Sequence, residues 1–393
     1  MSRRTDELIS RFRELFGDAE PLLFSAPGRT EIGGNHTDHQ HGKVLAAAVD
    51  ADIIAAAAEN GGNTVRIKSD DRKMIEVDLG KTEPQENEKG TSAALVRGIC
   101  AQIAKRGYTL RGFDACMTSQ VLQGSGLSSS AAFEVLIGAI VNGLFCTDEL
   151  TATDLAIIGQ KAENVYFGKP CGLMDQMASA WGGVISIDFK DPSAPVVTPV
   201  DFDFSSAGYS LCMVDVGADH ANLTQEYAAI PEELKKVCAV FGKEFLRDVD
   251  EAEFYARATE VRKAAGDRGF LRAVHVFKDN RRVDRICAAL NKGDFEEFLR
   301  LIKESGRSSW MYLQNVVVCG SAAEQSAAVA LAMCDSILSR RGAYRIHGGG
   351  FGGTVQAFVP DDMLDEFKTR MEDVFGSGSC HVMNIRSSGF MRL

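Results

Sequence analysis

With 393 residues, 45% of them apolar and 25% charged, the chain is long enough for two or three ordinary globular domains. A formal net charge of −11, with no cluster of Lys and Arg, argues against a nucleic-acid binder and, more weakly, against docking on an anionic membrane. Ten cysteines, no two closer than fifteen residues, exclude the common zinc spacings and a small disulfide scaffold, and they read as free thiols in a reducing cytosol.

The N-terminal segment MSRRTDELISRFRELFG has basic residues but no apolar signal-peptide core. No apolar run approaches the ~18 residues of a membrane span, so a cytoplasmic protein, read as a monomer, is expected. Leu8, Ile9, Phe12, Leu15 and Phe16 recur at helical spacing, with Thr5 expected as N-cap and Gly17 as the stop. Pro21–Ala26 reads as a short buried strand entering a Gly-rich polar loop over 27–42. Val44–Ala58, apolar except for Asp50 and Asp52, reads as two strands or a strand and a turn. Residues 80–90 are polar and read as an exposed loop.

A Gly/Ser loop over 119–130 opens the segment AAFEVLIGAIVNGLF, apolar nearly all round and hence a helix for a domain centre. A second apolar helix spans roughly 152–167 and stops at Gly168. Three of the nine prolines fall in 190–199, which places a domain boundary near residue 200 and predicts units at 1–200 and 201–393. The second half opens with strand-like LCMVDV, continues with helices between 231 and 340, and closes with HGGGFGG, strand-like TVQAFV, a helix over 361–375 and strand-like HVMNI. Strands mixed with helices in both halves predict an α+β or α/β protein.

Three loops carry the chemistry. The first, APGRTEIGGNHTDHQHG (26–42), holds three of the seven histidines beside an arginine and an aspartate. His36, Asp38, His39 and His41 are of metal-ligand type, although their order matches no standard metal spacing. The same residues suit a polar surface turn, or a sugar pocket in which Asp and His bond adjacent hydroxyls.

The second loop runs Gln123-Gly124-Ser125-Gly126-Leu127-Ser128-Ser129-Ser130-Ala131-Ala132. Its glycines permit close backbone approach, and successive N–H groups at a helix start make an anion site. It is no Walker A loop, and an ordinary Ser-capped helix is the competing reading. The third, His347–Gly353, satisfies G-x-G-x-x-G at Gly348, Gly350 and Gly353, yet a strand-like segment follows where a dinucleotide fold needs a helix. A Gly-rich turn packed against another backbone is expected instead.

In order and wording these loops resemble the three motifs of the GHMP kinase superfamily, and within it the galactokinase family. PGRTEIGGNHTDHQHG is similar to the galactokinase sugar signature, and Gly-Leu-Ser-Ser-Ser-Ala to the phosphate motif. Pro170-Cys171-Gly172-Leu173-Met174-Asp175-Gln176 resembles the segment carrying the catalytic aspartate, with Glu163 twelve residues earlier where the family places a Mg²⁺ ligand. Glu226-Tyr227, after Ala221-Asn222-Leu223, resembles the segment supplying a sugar-contacting tyrosine. Asn35 stands where the family usually has Glu, Leu122 where it has Pro, and Tyr312-Leu313-Gln314-Asn315 where it is acidic.

The resemblance implies an α+β two-domain GHMP fold, with a ribosomal-protein-S5-like N-terminal domain, a ferredoxin-like C-terminal domain and the active site between them. It implies ATP and Mg²⁺ as cofactors and a sugar as substrate. Asp175 and Arg29 are the implied catalytic pair. Asn35, His36, Asp38, Gly172 and Tyr227 would hold the sugar, while Gly124, Ser125, Gly126, Leu127, Ser128, Ser129, Ser130 and Ala131 would hold ATP. Gly348, Gly349 and Gly350 form the third motif, and Ser130 and Glu163 would hold the metal. Galactose is the first-choice substrate. An amino sugar, arabinose or a uronic acid, or a catalytically silent galactose sensor, are the alternatives.

Overall fold

A computed structural model describes residues 3–121, 126–217, 224–351 and 353–393. The first half contains α1 (Arg3–Phe16), β1 (Leu22–Gly33), β2 (Lys43–Glu59), β3 (Thr64–Ser69), β4 (Ile75–Asp78), α2 (Ser92–Ala104), β5 (Phe113–Ser119), α3 (Ser129–Phe145), α4 (Ala152–Lys161), α5 (Met174–Trp181), β6 (Val184–Asp188) and β7 (Val196–Pro199). The second contains β8 (Tyr209–Asp215), α6 (Thr224–Val240), α7 (Glu251–Ala256), α8 (Ala258–Asn291), α9 (Phe295–Ser308), α10 (Ser326–Leu338), β9 (Ala343–His347), β10 (Thr354–Pro360), α11 (Leu364–Phe375), β11 (Cys380–Met383) and β12 (Met391–Arg392).

One sheet runs β12-β1-β2-β5-β3-β4, with β6 and β7 continuing from the first half of β2. All its pairings are antiparallel except β3 with β5. The expected break inside Val44–Ala58 is absent: β2 is one continuous strand, and its run of small residues serves both faces. Ala55 and Ala57 enter the main core, whereas Ile54, Ala56 and Ala58 meet Leu8 and Phe12 of α1, the period-two alternation of a strand covered on both sides. Thr5 lies inside α1 rather than ahead of it. On the main-core side, α3 is buried along most of its length and packs on β1, α4 and α5.

The second sheet runs β11-β8-β10-β9, all antiparallel. Helices α10 and α11 cover one face through Cys334, Ile337, Phe367 and Met371, while Phe298 of α9 meets Phe358 of β10 edge-on at 4.9 Å. The last residues return to the first sheet: Arg386 N donates to Ala48 O at 3.0 Å, and β12 pairs with β1.

Strand β1 joins the two halves. It runs straight through the Pro-Gly-Arg segment expected as loop, with register shifts at Pro27/Arg29 and Glu31/Gly33. Arg345 of β9 donates to Glu31 Oε1 at 2.5 Å and to Ile32 O at 2.9 Å, and Gln356 of β10 donates to Glu31 O at 3.0 Å. Glu31 and Arg345 are both buried. Burial raises the Glu31 carboxyl above its usual range, against the opposing charges of Arg345 and Arg29. This bonding fixes the end of β1, and so Arg29, against both sheets.

Candidate active site

Arg29 projects from β1 and Asp175 from the first turn of α5. Arg29 Nε donates to Asp175 Oδ1 at 2.6 Å and Nη2 to Oδ2 at 2.7 Å, a two-pronged clamp. The third guanidinium nitrogen donates to Gly126 O at 2.5 Å, and Arg29 N donates to Leu127 O at 3.0 Å, so the clamp is tied to the Gly/Ser loop. Ser128 enters α3 with φ of 58° and its hydroxyl donates to Asp175 Oδ2. It therefore does not cap the helix, contrary to the Ser-cap reading, and the first amides of α3 receive no side-chain cap from it. Burial acts to raise the Asp175 carboxyl. The Arg29 charge, with the bonds from Arg29 and Ser128, overcomes this and holds the group below the usual carboxylate range.

Around Gln176, beside Asp175, lies a second polar cluster. Gln176 Nε2 donates to Glu134 Oε2 at 2.9 Å and to Glu163 Oε2 at 3.1 Å. Glu163 sits in the wide π-turn that closes α4 and is buried, with Lys169 Nζ 3.5 Å from its other oxygen. Glu134 is fully buried, and its Oε1 has no hydrogen-bond partner. Burial, then the charges of Glu163 and Asp175, push the Glu134 carboxyl well up. Glu134 lies four residues after Ser130 and so shares its face of α3. Sequence reasoning passed over Glu134, although a lone carboxylate inside an apolar helix is costly unless it has a partner.

The sugar-signature residues divide into two groups. Asp38 and Gly172 come together: a Cβ on Gly172 would lie 1.9 Å from Asp38 Oδ2. Asp38 also accepts from His39 N at 2.9 Å. His36, with φ of 58°, places Nε2 3.0 Å from Gly349 O, and burial followed by the His39 charge lowers its imidazole to about 3, so it is neutral. Tyr227 donates its hydroxyl to Gly350 O at 3.0 Å, and its ring lies where a Cβ on Gly349 would come within 2.3 Å.

Asn35, expected to hold the sugar, bonds its side chain to other protein groups. The residue is fully buried. Its Nδ2 donates to Gly348 O at 2.6 Å and lies 3.1 and 3.2 Å from the Glu31 oxygens, while its Oδ1 accepts from Asn315 Nδ2 at 2.8 Å. The third motif is thus a wall of carbonyls against the sugar loop, and it leads into β10 rather than a helix, in line with the rejection of a dinucleotide fold.

The four-residue metal reading fails on geometry. His41 stacks on Phe245 at 3.5 Å, and among the described residues no group of three or more His, Cys, Asp or Glu side chains could hold an ion. Gly126, Leu127, Ser128, Ser129, Ser130 and Ala131 lie at the entry to α3 as expected, whereas Leu122, Gln123, Gly124 and Ser125, like Ala221, Asn222 and Leu223, lie outside the described residues.

An arginine-clamped aspartate facing the glycine- and serine-rich entry to a buried helix, set between an S5-like sheet and a ferredoxin-like sheet, defines a small-molecule kinase of the GHMP class. Family profiles described as "Galactokinase galactose-binding signature" and "GHMP kinases N terminal domain" match residues 10–59 and 94–183. A galactokinase from Streptomyces coelicolor is 31% identical over 370 residues, covering 93% of this chain and 92% of that protein. The crystal structure of Lactococcus lactis galactokinase complexed with galactose superposes with a TM-score of 0.85 at 25% identity, covering 99% of this chain and all of that one. Methanococcus jannaschii mevalonate kinase shares the fold, with a TM-score of 0.65 at 13% identity over 93% of this chain and 98% of its own. The chain belongs to the galactokinase family.

Proposed function

We propose that the protein transfers the γ-phosphoryl group of ATP to the anomeric hydroxyl of galactose, giving galactose 1-phosphate and ADP. The observation that carries this reading is the Arg29–Asp175 clamp fixed to the Gly126–Ser128 backbone, which sets a carboxylate beside the nucleotide loop. The sugar would enter between Asp38, Gly172, His36 and Tyr227. Asp38 offers acceptor oxygens to neighbouring hydroxyls, and the neutral His36 ring fills the wall beside it.

The N-terminus of α3, with the amides of Ser129, Ser130 and Ala131, faces the phosphates with its partial positive charge. Ser130 and Glu163 fit Mg²⁺, since a hydroxyl and a carboxylate are the oxygen donors a hard cation takes, and the unpartnered Glu134 Oε1 lies in the same cluster. When bound, the ion neutralises charge on the transferring group.

Asp175 orients the anomeric hydroxyl and accepts its proton as the new O–P bond forms and the bond to the departing ADP oxygen breaks. Arg29 keeps Asp175 ionised and offsets the charge that develops on the phosphoryl oxygens. A low proton affinity makes Asp175 a weak base, so proton uptake falls late, when the attacking oxygen is already strongly acidic.

A related sugar is the second reading. It is favoured by the burial of Asn35, which leaves the pocket without the carboxylate that the resemblance places there. The test is ADP release with ATP against galactose, galactosamine, arabinose and galacturonic acid. Galactose is expected to give the highest kcat/KM. A higher value for another sugar selects the second reading, and no sugar-dependent ADP release contradicts both.

A further inference from the structure

Helix α9 and the π-turn that follows it (Ser309–Leu313) present two faces. One face holds the sugar loop. Ser309 Oγ donates to Asn35 Oδ1 at 3.3 Å. Ser308 Oγ lies 2.9 Å from His275 Nδ1, whose Nε2 lies 2.9 Å from Asn35 O. Ser305 Oγ donates at 3.0 Å to Asp279, which accepts from Asn35 N at 2.9 Å. Asn35 directly precedes His36, so three serines of one face grip the segment that places the sugar-facing side chains.

The opposite face is offered to a cavity of about 280 Å³ beneath α10, lined by Lys303, Arg307, Trp310, Met311, Leu331 and Tyr344. Residues 303, 307 and 310 follow helical spacing and share that face. Trp310 and Met311 are 46% and 58% exposed, a large apolar surface for a helix already packed on its other side. Among the described residues Arg307 has neither an ion pair nor a hydrogen bond, and Lys303 donates only to Arg340 O at 3.3 Å. Burial, then the Arg307 charge, lower the Lys303 pKa, as two uncompensated cations do when they share a recess. Asp335 acts on Lys303 from the side, but its carboxylate accepts the Tyr344 hydroxyl. On a protein of net charge −11, two unpaired cations over an aromatic pocket are complementary to an anion with an apolar body. The π-turn adds a second sign, because such wide turns recur at functional sites.

We propose that this cavity is an effector site for a small organic anion with a flat apolar body, and that its occupant acts on the sugar loop through α9. The ring would lie against Trp310, Met311 and Leu331. The anionic group, a carboxylate, sulfonate or phosphate, would meet Lys303 and Arg307. Displacement of α9 by the occupant reaches Asn35 through Ser305, Ser308 and Ser309 without passing through Asp175 or the nucleotide loop.

The chain has two tryptophans, so Trp181→Phe leaves Trp310 as the reporter. The probe is 8-anilinonaphthalene-1-sulfonate, with N-phenyl-1-naphthylamine as the same aromatic body lacking the charge. Saturable quenching of Trp310 is expected, about tenfold weaker for the neutral probe and in Lys303→Ala/Arg307→Ala, and unaffected by a saturating ATP analogue. Ala328→Phe, at another residue that lines the cavity, fills it without adding a tryptophan and should abolish the quenching. The second arm rests on the sugar-kinase reading: bound probe is expected to change galactose KM about fivefold or more, with ATP KM unchanged. No saturable quenching, equal affinity of the two probes, or loss of binding with the ATP analogue overturns the site. Binding without any change in galactose KM, in enzyme that turns over normally, overturns the effector role. Absence of turnover with galactose would instead count against the proposed function, and the binding arm would stand independently.

Discussion

Arg29 and Asp175 are separated by 146 residues in sequence, yet two guanidinium nitrogens meet the two carboxylate oxygens at 2.6 and 2.7 Å. The remaining arginine nitrogen reaches a backbone carbonyl of the Gly/Ser loop, at Gly126. One side chain therefore ties the Asp175 carboxylate, the loop and strand β1 together, and the consequences below follow from that bonding and from the packing behind it.

Removing the clamp should move the acid limb of the pH profile. Asp175 must be ionised, so its contribution is present above its pKa and lost as pH falls through it. Arg29 holds that pKa below the ordinary aspartate value of 3.8, against burial. In Arg29→Gln burial is opposed by the Ser128 bond and the Lys169 charge without the arginine, and the limb in kcat is expected to move up in pH, with kcat also lower. A limb unchanged from wild type would show that Arg29 does not tune Asp175.

Gly172 is where the 26–42 loop and the segment carrying Asp175 touch. A methyl group there would sit 1.9 Å from Asp38 Oδ2, so Gly172→Ala must push the Asp38 carboxylate aside. Galactose KM is expected to rise by about tenfold or more, since ångström-scale misplacement is expensive in a binding site, while ATP KM stays within about twofold. An equal change in both constants would place the effect elsewhere.

Asn35→Asp puts a carboxylate against the buried carboxylate of Glu31 and removes the donor to Gly348 O. A loss of about 3–5 kcal/mol is expected, as for an uncompensated buried charge. Its pH dependence has a definite sign. Burial raises Glu31, so stability linked to its protonated form is present below the unfolded pKa and lost as pH rises through the folded one. The variant's melting temperature should accordingly fall further behind wild type as pH rises and the introduced carboxyl ionises against Glu31. Equal melting temperatures at pH 8 would contradict the buried placement of Asn35.

Breaking the bond between the halves is a stability test independent of the chemistry. Arg345→Met leaves Glu31 buried without its cation and should cost about 3–5 kcal/mol in urea unfolding. Glu31→Gln in the same background should recover part of that loss, because no unpaired charge then remains.

The three loops stood out in sequence because their glycines, serines and Asp/His cluster are local features, and the fold brings residues of all three near Arg29, Asp38 and Asp175. Tertiary partners were not legible in the same way. Ser128 looked like a helix cap because local pattern cannot show that Asp175, 47 residues on, takes its hydroxyl. Asn35 was expected at the sugar because the resemblance places a sugar-contacting Glu at that position. Its burial depends on Asn315 and Gly348, which only folding brings near. Val44–Ala58 looked divided because two aspartates interrupt it, but Asp50 and Asp52 bond Asn384 and Arg386, residues that return from the far end of the chain. The boundary near residue 200 was suggested by prolines, and that same return adds the last residues to the first sheet. Glu134 could have been noticed as the one charge inside an otherwise apolar helix.

The most direct test is single-turnover phosphoryl transfer by Asp175→Asn at saturating ATP and galactose, with the product read by ³¹P NMR. The substituted amide keeps the shape of the carboxylate and can still accept from Arg29, so ATP affinity should hold while the rate of galactose 1-phosphate formation falls by about 10²–10⁴. A variant that makes galactose 1-phosphate at close to the wild-type rate would contradict the assignment of Asp175 to the transferring proton.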